Sequence, residues 1–230
     1  MAAVKGKSEE VEQQEEEAVA PVTITVLRQR WAEARFRIEG TAPVLTQRPA
    51  GLKAEMRARK LGKKSAIKAR PIWKPQEEFE GHMHRTKDGR LGFPAIALKK
   101  AMISGAQRSD PSLIKQTPAM RGAFYIYGEP HEDPSFGDVV PFLSTNGGPV
   151  MDEALVKNSG GKAPDLRVRP RWDEWAAEVR VRYSSMFDLP TLANMLANAG
   201  ESVGICSRRL ERSGERFGLF EVVATKETEA

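Results

Sequence analysis

Apolar and polar residues alternate along several segments with a period of two, which is typical of β-strands that have one buried face and one solvated face. The clearest strand predictions are 34–47, 165–171, 176–184 and 217–224. The second and third of these are separated by a short turn around Asp173 and Glu174. We therefore expect them to pair as an antiparallel hairpin.

Two other segments repeat their apolar residues every three to four positions, which predicts amphipathic helices over 94–106 and 188–199. Pro94 suits a first helical turn, where its missing N–H is harmless. Asp188 is a suitable N-cap for the second helix, and Gly200 fits its C-terminal end.

The four strands and two helices predicted above follow one another in the order β-α-β-β-α-β. This is the ferredoxin-like arrangement that RNA-recognition motifs also use. The predicted fold class is therefore α+β, with an antiparallel sheet that carries both helices on one face. Insertions at 48–93 and 107–164 extend this core, and the first of them holds a basic arm and a short hairpin. We expect one such domain over 21–230, preceded by a disordered acidic tail over 1–20.

The other face of this predicted sheet is rich in arginine. If the apolar side chains point at the helices, seven guanidinium groups share the open face: Arg35, Arg37, Arg167, Arg169, Arg171, Arg180 and Arg182. Such a face is costly without an anionic partner, and arginine both binds phosphate in a bidentate manner and stacks on bases. The alternative interpretation is a solvated face whose arginines pair with acids such as Glu39 and Glu178.

The net charge of +5 hides a strong local asymmetry. Residues 48–74 contain ten Lys or Arg against Glu55 alone, a clustering typical of proteins that bind polyanions. The cations are spread around any helical wheel, so we expect an exposed arm rather than a core-facing helix. The residues of this arm predicted to bind nucleic acid are Lys53, Arg57, Arg59, Lys60, Lys63, Lys64, Lys68 and Arg70, with Trp73 as a stacking aromatic.

The sequence lacks the motifs that would indicate several common kinds of site. The single cysteine, Cys206, excludes an intramolecular disulfide framework and a cysteine-built zinc site. No apolar run approaches a membrane span, and no signal peptide or nucleotide-binding loop is recognisable. We therefore predict a cytoplasmic protein with no catalytic residue, cofactor, metal site, membrane association or small-molecule substrate.

Short segments resemble a group of phage and prophage proteins, which would place the chain in a bacterial host. They are Arg37–Leu45, Gly92–Ala101, Arg180–Tyr183 and Phe217–Val222. The start of the first predicted helix and the Gly-rich segment 213–218 are also similar to the RAMP superfamily, which includes the backbone subunits of CRISPR effector complexes. That resemblance implies a ferredoxin-like fold, binding along RNA and head-to-tail assembly.

These observations favour a sequence-tolerant binder of single-stranded DNA or RNA that coats or anneals strands as a homo-oligomer. A second hypothesis is an assembly protein whose basic arm binds the acidic tail of a neighbouring copy. A third is a small nuclease built on His82 and His84, which a strand would point to one face, together with His131.

Overall fold

A computed structural model of the chain describes residues 30–48, 73–156, 165–185 and 187–228. Within these ranges the strands are β1 (Trp31–Gly40), β2 (Val44–Leu45), β3 (His84–Arg85), β4 (Leu91–Pro94), β5 (Phe124–Tyr127), β6 (Glu129–Pro130), β7 (Asp138–Thr145), β8 (Val150–Val156), β9 (Asp165–Trp172), β10 (Trp175–Ser184) and β11 (Phe220–Thr228). The α-helices are α1 (Pro75–Gly81), α2 (Ala95–Ser109), α3 (Thr117–Ala123), α4 (Leu189–Asn198) and α5 (Leu210–Ser213). None of these helices has the length and apolar character needed to cross a bilayer.

The larger sheet has the strand order β11-β1-β10-β7-β4-β3, with β5 paired to β10 and β6 paired to β7. The strand pairings within it are antiparallel. This confirms the predicted α+β class with an antiparallel sheet.

Strands β1 and β10 form the centre of this sheet, and their alternation is the one that the sequence predicts. Phe36 and Ile38 of β1 are fully buried, as is Val179 of β10, which lies opposite Phe36. They share one core with Leu98 of α2 and Leu196 of α4. The predicted helices are therefore confirmed, and they cover the apolar side of the β1–β10 pair.

The predicted hairpin between 165–171 and 176–184 is wrong. Both segments are strands, but β10 pairs with β1, β5 and β7, whereas β9 lies in a second, three-stranded sheet of order β2-β9-β8. The predicted strand 34–47 is also divided, because β1 ends at Gly40 and β2 joins the second sheet beyond Pro43.

The second sheet has its own apolar contacts. Val168 of β9 packs with Phe79 of α1 and with Met83. At the end of β9, the Trp172 ring lies 5.1 Å from the ring of Phe142 on β7, which connects this sheet to the main core. These contacts explain why β9 pairs within the second sheet and not with β10.

Helix α2 approaches the turn after α4 very closely at Gly105. A Cβ atom placed there would lie 2.7 Å from the backbone nitrogen of Ala199. Because the obstacle is backbone, no side-chain rotation can make room for it.

We expect Gly105→Ala to lower the free energy of unfolding by about 1–3 kcal/mol through overpacking, although alanine is the better helix former. The matched control is Gly122→Ala in α3, where an added Cβ meets no atom within 4 Å. In that variant the free energy of unfolding should rise by about 0.5–1 kcal/mol. Urea unfolding of both variants checks the pair, and an equal gain at both positions would contradict the close contact.

Candidate nucleic-acid interface

The structure separates the arginines that were predicted to share one face. Arg35, Arg37, Arg180 and Arg182 do alternate with the buried residues of β1 and β10, so they lie on the open face of the main sheet. Arg167, Arg169 and Arg171 lie on β9 in the second sheet, so the predicted face of seven arginines is wrong. Trp73 is 48% exposed, and the cations of the basic arm from Lys53 to Arg70 lie outside the described residues.

Acidic side chains accompany the arginines of the open face. Arg180 donates to Glu33 over 2.9 Å, and this hydrogen bond holds the pKa of the Glu33 carboxyl below its usual value. The other two ion pairs are Arg35 with Glu178 at 3.5 Å and Arg37 with Glu39 at 3.0 Å. On β1 and β10, four arginines against three glutamates leave a formal charge of about +1.

Aromatic rings on the same face are engaged with the arginines. The Arg182 guanidinium lies 5.2 Å from the ring centroid of Trp31 and donates to the Tyr125 hydroxyl over 2.9 Å. Tyr127 lies beneath Arg180 at 4.5 Å and donates to Glu33. Most of the charge and the ring surface of this face is therefore already used within the protein.

A different and more basic surface lies on the helix side. A cleft of about 820 Å³ is bounded by α2, α3 and α5, and we call it the basic cleft. The residues that line it are Ile96, Lys99, Lys100, Ile103, Ser104, Gln107, Thr117, Arg121, Arg209, Glu211 and Arg212. Five of these side chains are cationic and one is a carboxylate, which gives the lining a formal charge of about +4.

Little of this charge is compensated. Glu211 pairs with Arg209 at 3.0 Å. Lys99 donates to the backbone oxygen of Arg121, and partial burial lowers the pKa of the Lys99 ammonium group. Within the described part of the chain, Lys100, Arg121 and Arg212 form no ion pair with a carboxylate.

Sequence reasoning missed the basic cleft. The signal available in the sequence is that Lys99 and Lys100 lie off the apolar face of their helix. Arg121 comes from the insertion 107–164, and Arg212 from a helix of four residues that has no periodic pattern. Only the tertiary fold brings these three elements together.

The histidines are arranged differently from the predicted strand pair. His82 follows α1 as its C-terminal cap, and its Nδ1 contacts the backbone of Arg48. His84 and His131 instead face each other, with ring centroids 5.4 Å apart, and are only 3% and 1% exposed. Such burial leaves almost no ring surface for a polymer substrate, which disfavours the nuclease hypothesis.

Burial also controls the protonation of this pair. It lowers the pKa of His84 to about 4 and lowers that of His131, so both rings are neutral at pH 7. The neighbouring Arg48 guanidinium acts in the same direction on both rings. Burial raises the pKa of the Cys206 thiol to about 12, which keeps it protonated. No group of three or more His, Cys, Asp or Glu in the described ranges is arranged to hold a metal ion.

We expect His84 to make the fold sensitive to acid. Because the unfolded chain binds the proton more tightly, the contribution is present above about pH 6.5 and is lost as the pH falls toward 4. Between pH 7 and 5 this single group should remove about 2 kcal/mol of the free energy of unfolding, and His84→Gln should abolish that part. Urea unfolding at both pH values measures it, with His82→Gln as the control at a less buried ring. If His84→Gln lost as much free energy of unfolding between pH 7 and 5 as the wild type, the role of His84 would be contradicted.

No family model and no curated protein matches the chain. Among solved structures it is similar to a chain of the Type III-B Cmr-beta complex bound to cognate target RNA, with 12% sequence identity and a TM-score of 0.49. The alignment covers 86% of this chain and 61% of that chain, so the protein spans less than two thirds of the other chain's length. A similarity of this degree carries no inference about function, and the phage origin stays a prediction.

Proposed function

We propose that the protein binds single-stranded nucleic acid without sequence preference, and that the sugar-phosphate chain lies along the basic cleft. The observation that carries this proposal is the uncompensated positive charge of the cleft, about +4 within one concave surface. Contacts between such cations and phosphate supply most of the sequence-independent affinity of nucleic-acid-binding proteins. Lys100, Arg121 and Arg212 are the side chains most available for them.

Exposed apolar side chains support a single strand over a duplex. Ile96, which lines the basic cleft, is 51% exposed. The faces of unpaired bases are accessible to such side chains and to exposed aromatics such as Trp73, whereas a duplex hides them. Both DNA and RNA strands present the phosphates and bases that this arrangement uses.

The open sheet face is a weaker candidate on its charge balance. The formal charge of its strands β1 and β10 is about +1, and its aromatic rings contact arginines of the same face. The prediction that Arg35, Arg37, Arg180 and Arg182 bind nucleic acid stays a prediction. The basic arm is proposed as a second source of phosphate contacts, because its cations outnumber its acids so strongly.

The fold of the main sheet is also part of the proposal. We infer a ferredoxin-like order in which β5 and β7 together occupy the position that was predicted for β9. The order β11-β1-β10 followed by these two strands, with α2 and α4 sharing the core, supports this reading. The basic cleft then lies on the side of the sheet that the helices cover.

We expect binding to weaken steeply with salt and to depend on the cleft. With about four phosphate contacts, the affinity for a single strand should fall roughly 50-fold between about 50 and 200 mM salt. The double variant Lys100→Gln and Arg121→Gln should weaken binding and reduce the slope of log K against log salt by about 1.4. Fluorescence anisotropy with a labelled oligonucleotide measures both quantities.

The matched control removes the same charge from the open sheet face, by Arg35→Gln and Arg37→Gln. It should change affinity and slope much less, because both arginines are held by glutamates. An equal loss in the two double variants would mean that only net charge matters. A larger loss in the control would move the site to the open sheet face.

We expect the arm to contribute without reading sequence. The triple variant Lys60→Gln, Lys63→Gln and Lys64→Gln should lower affinity for homopolymeric and mixed oligonucleotides by the same factor, because phosphate contacts carry no sequence information. Anisotropy on both oligonucleotides measures this. Light scattering of the same variant without nucleic acid is the second readout, and a change of oligomeric state with unaltered oligonucleotide binding would favour the assembly hypothesis.

A further inference from the structure

We propose that Arg169 and the loop that faces it form a pocket for a phosphate group on the second sheet. The pocket has a volume of about 350 Å³, several times the roughly 30 Å³ that one water occupies in the liquid. Its polar lining includes Arg169, Arg208, Arg212, Ser207 and Ser213. It adjoins the basic cleft, because Arg212 lines both.

Arg169 is the residue whose burial without a counter-ion points to a bound anion. It is 4% exposed, and its Nε has no hydrogen-bond partner. No described carboxylate lies within ion-pair distance of it. A buried guanidinium without a counter-ion is unfavourable, so a protein that keeps one there has a position for an anion.

The nearby carboxylates are committed to other donors. Asp152 lies directly opposite Arg169 across the β8–β9 ladder, but one oxygen accepts from Arg171 over 3.4 Å and the other from Arg208 over 3.1 Å. Glu78 accepts from the indole N–H of Trp73 over 2.9 Å and from the backbone of Val168. Both carboxylates act on Arg169 at a distance, and neither forms an ion pair or hydrogen bond with it.

The remaining charge suits a phosphate. Arg169, Arg208 and Arg212 contribute three positive charges, while Asp152 and Glu215 contribute two negative ones, which leaves about +1. Both acids pair with Arg208, so Arg169 and Arg212 are the cations without a carboxylate partner among the described residues. Burial and the neighbouring guanidinium groups lower the pKa of Arg169, and arginine nonetheless stays protonated in proteins. The guanidinium groups of Arg169 and Arg212 are the donors that match the acceptor oxygens of a phosphate.

The phosphate could belong to a bound strand or to a small free ligand. The first source rests on the proposed function and would continue the strand from the basic cleft past Arg212. The second source is independent of it. Two measurements therefore test the pocket and its source separately.

The first measurement is thermal unfolding of the full chain in inorganic phosphate against sodium chloride of equal ionic strength. The wild type should melt about 3–6 °C higher in phosphate, as expected for a ligand at about ten times its Kd. Arg169→Met should lose this rise and melt higher than the wild type in chloride, because an unpaired buried charge is removed. Arg169→Lys should keep part of the rise, and Arg180→Met on the open sheet face should keep all of it.

An absent rise in the wild type, or an undiminished rise in Arg169→Met, would overturn the pocket. A lower melting temperature of Arg169→Met in chloride would do the same, since it would show that Arg169 already has a partner. The second measurement is oligonucleotide binding by Arg169→Met. A loss of about tenfold would assign the pocket to a phosphate of the strand, whereas unaltered binding would assign it to a free phosphate ligand. Failure of the wild type to bind oligonucleotide would reject the proposed function and leave the thermal test intact.

Discussion

The pairing register of β1 with β10 is the constraint from which the character of the open sheet face follows. It sets Phe36 opposite Val179 in the core, and it also sets Arg35 directly opposite Arg180 on the other face. Like charges in such positions destabilise a sheet. Glu178 and Glu33 resolve the conflict, because one pairs with Arg35 and the other with Arg180. The glutamates of this face are thus required by the register, and they use up the charge that a phosphate chain would need.

Positive charge that is free to bind a partner must therefore lie away from this strand pair. In the basic cleft, the cations come from three separate helices, so no ladder sets acids opposite them. Lys100, Arg121 and Arg212 remain without a carboxylate partner among the residues described. On the second sheet the ladder does set Asp152 opposite Arg169, but two other arginines compete for the same carboxylate. In both places, binding is expected where cations outnumber the nearby carboxylates, and not simply where arginines are most numerous.

Sequence reasoning recovers what depends on local pattern and fails where pairing is decided at a distance. The alternation around Phe36 and Val179 identifies both central strands and their buried faces, and the spacing of Leu98 identifies α2. The same alternation in β9 is read correctly as a strand, but it says nothing about which strand is its neighbour. Adjacency to β10 suggests a hairpin, whereas Val168 and Trp172 find their apolar partners on α1 and β7. Because β9 is paired wrongly, its three arginines are predicted on the wrong surface. One error in strand pairing therefore produces a wrong prediction of the binding face.

The loop that joins the basic cleft to the Arg169 pocket is held in an unfavourable backbone conformation, and this fixes a wall of each site before a ligand binds. Cys206 and Arg208 have φ values of 65° and 51°, where a non-glycine residue costs on the order of 1–3 kcal/mol. Backbone hydrogen bonds fix the loop on both sides, from Ser207 to Leu45 over 2.9 Å and from Gly218 to Pro43 over 2.7 Å. Arg208, which pairs with Asp152 and Glu215, therefore borders the pocket from a backbone that is already in place, and the adjacent Arg209, which pairs with Glu211, borders the cleft. Because binding then has less loop ordering to offset, sites bordered by a loop held this way can bind a phosphate chain more tightly than sites bordered by a mobile loop.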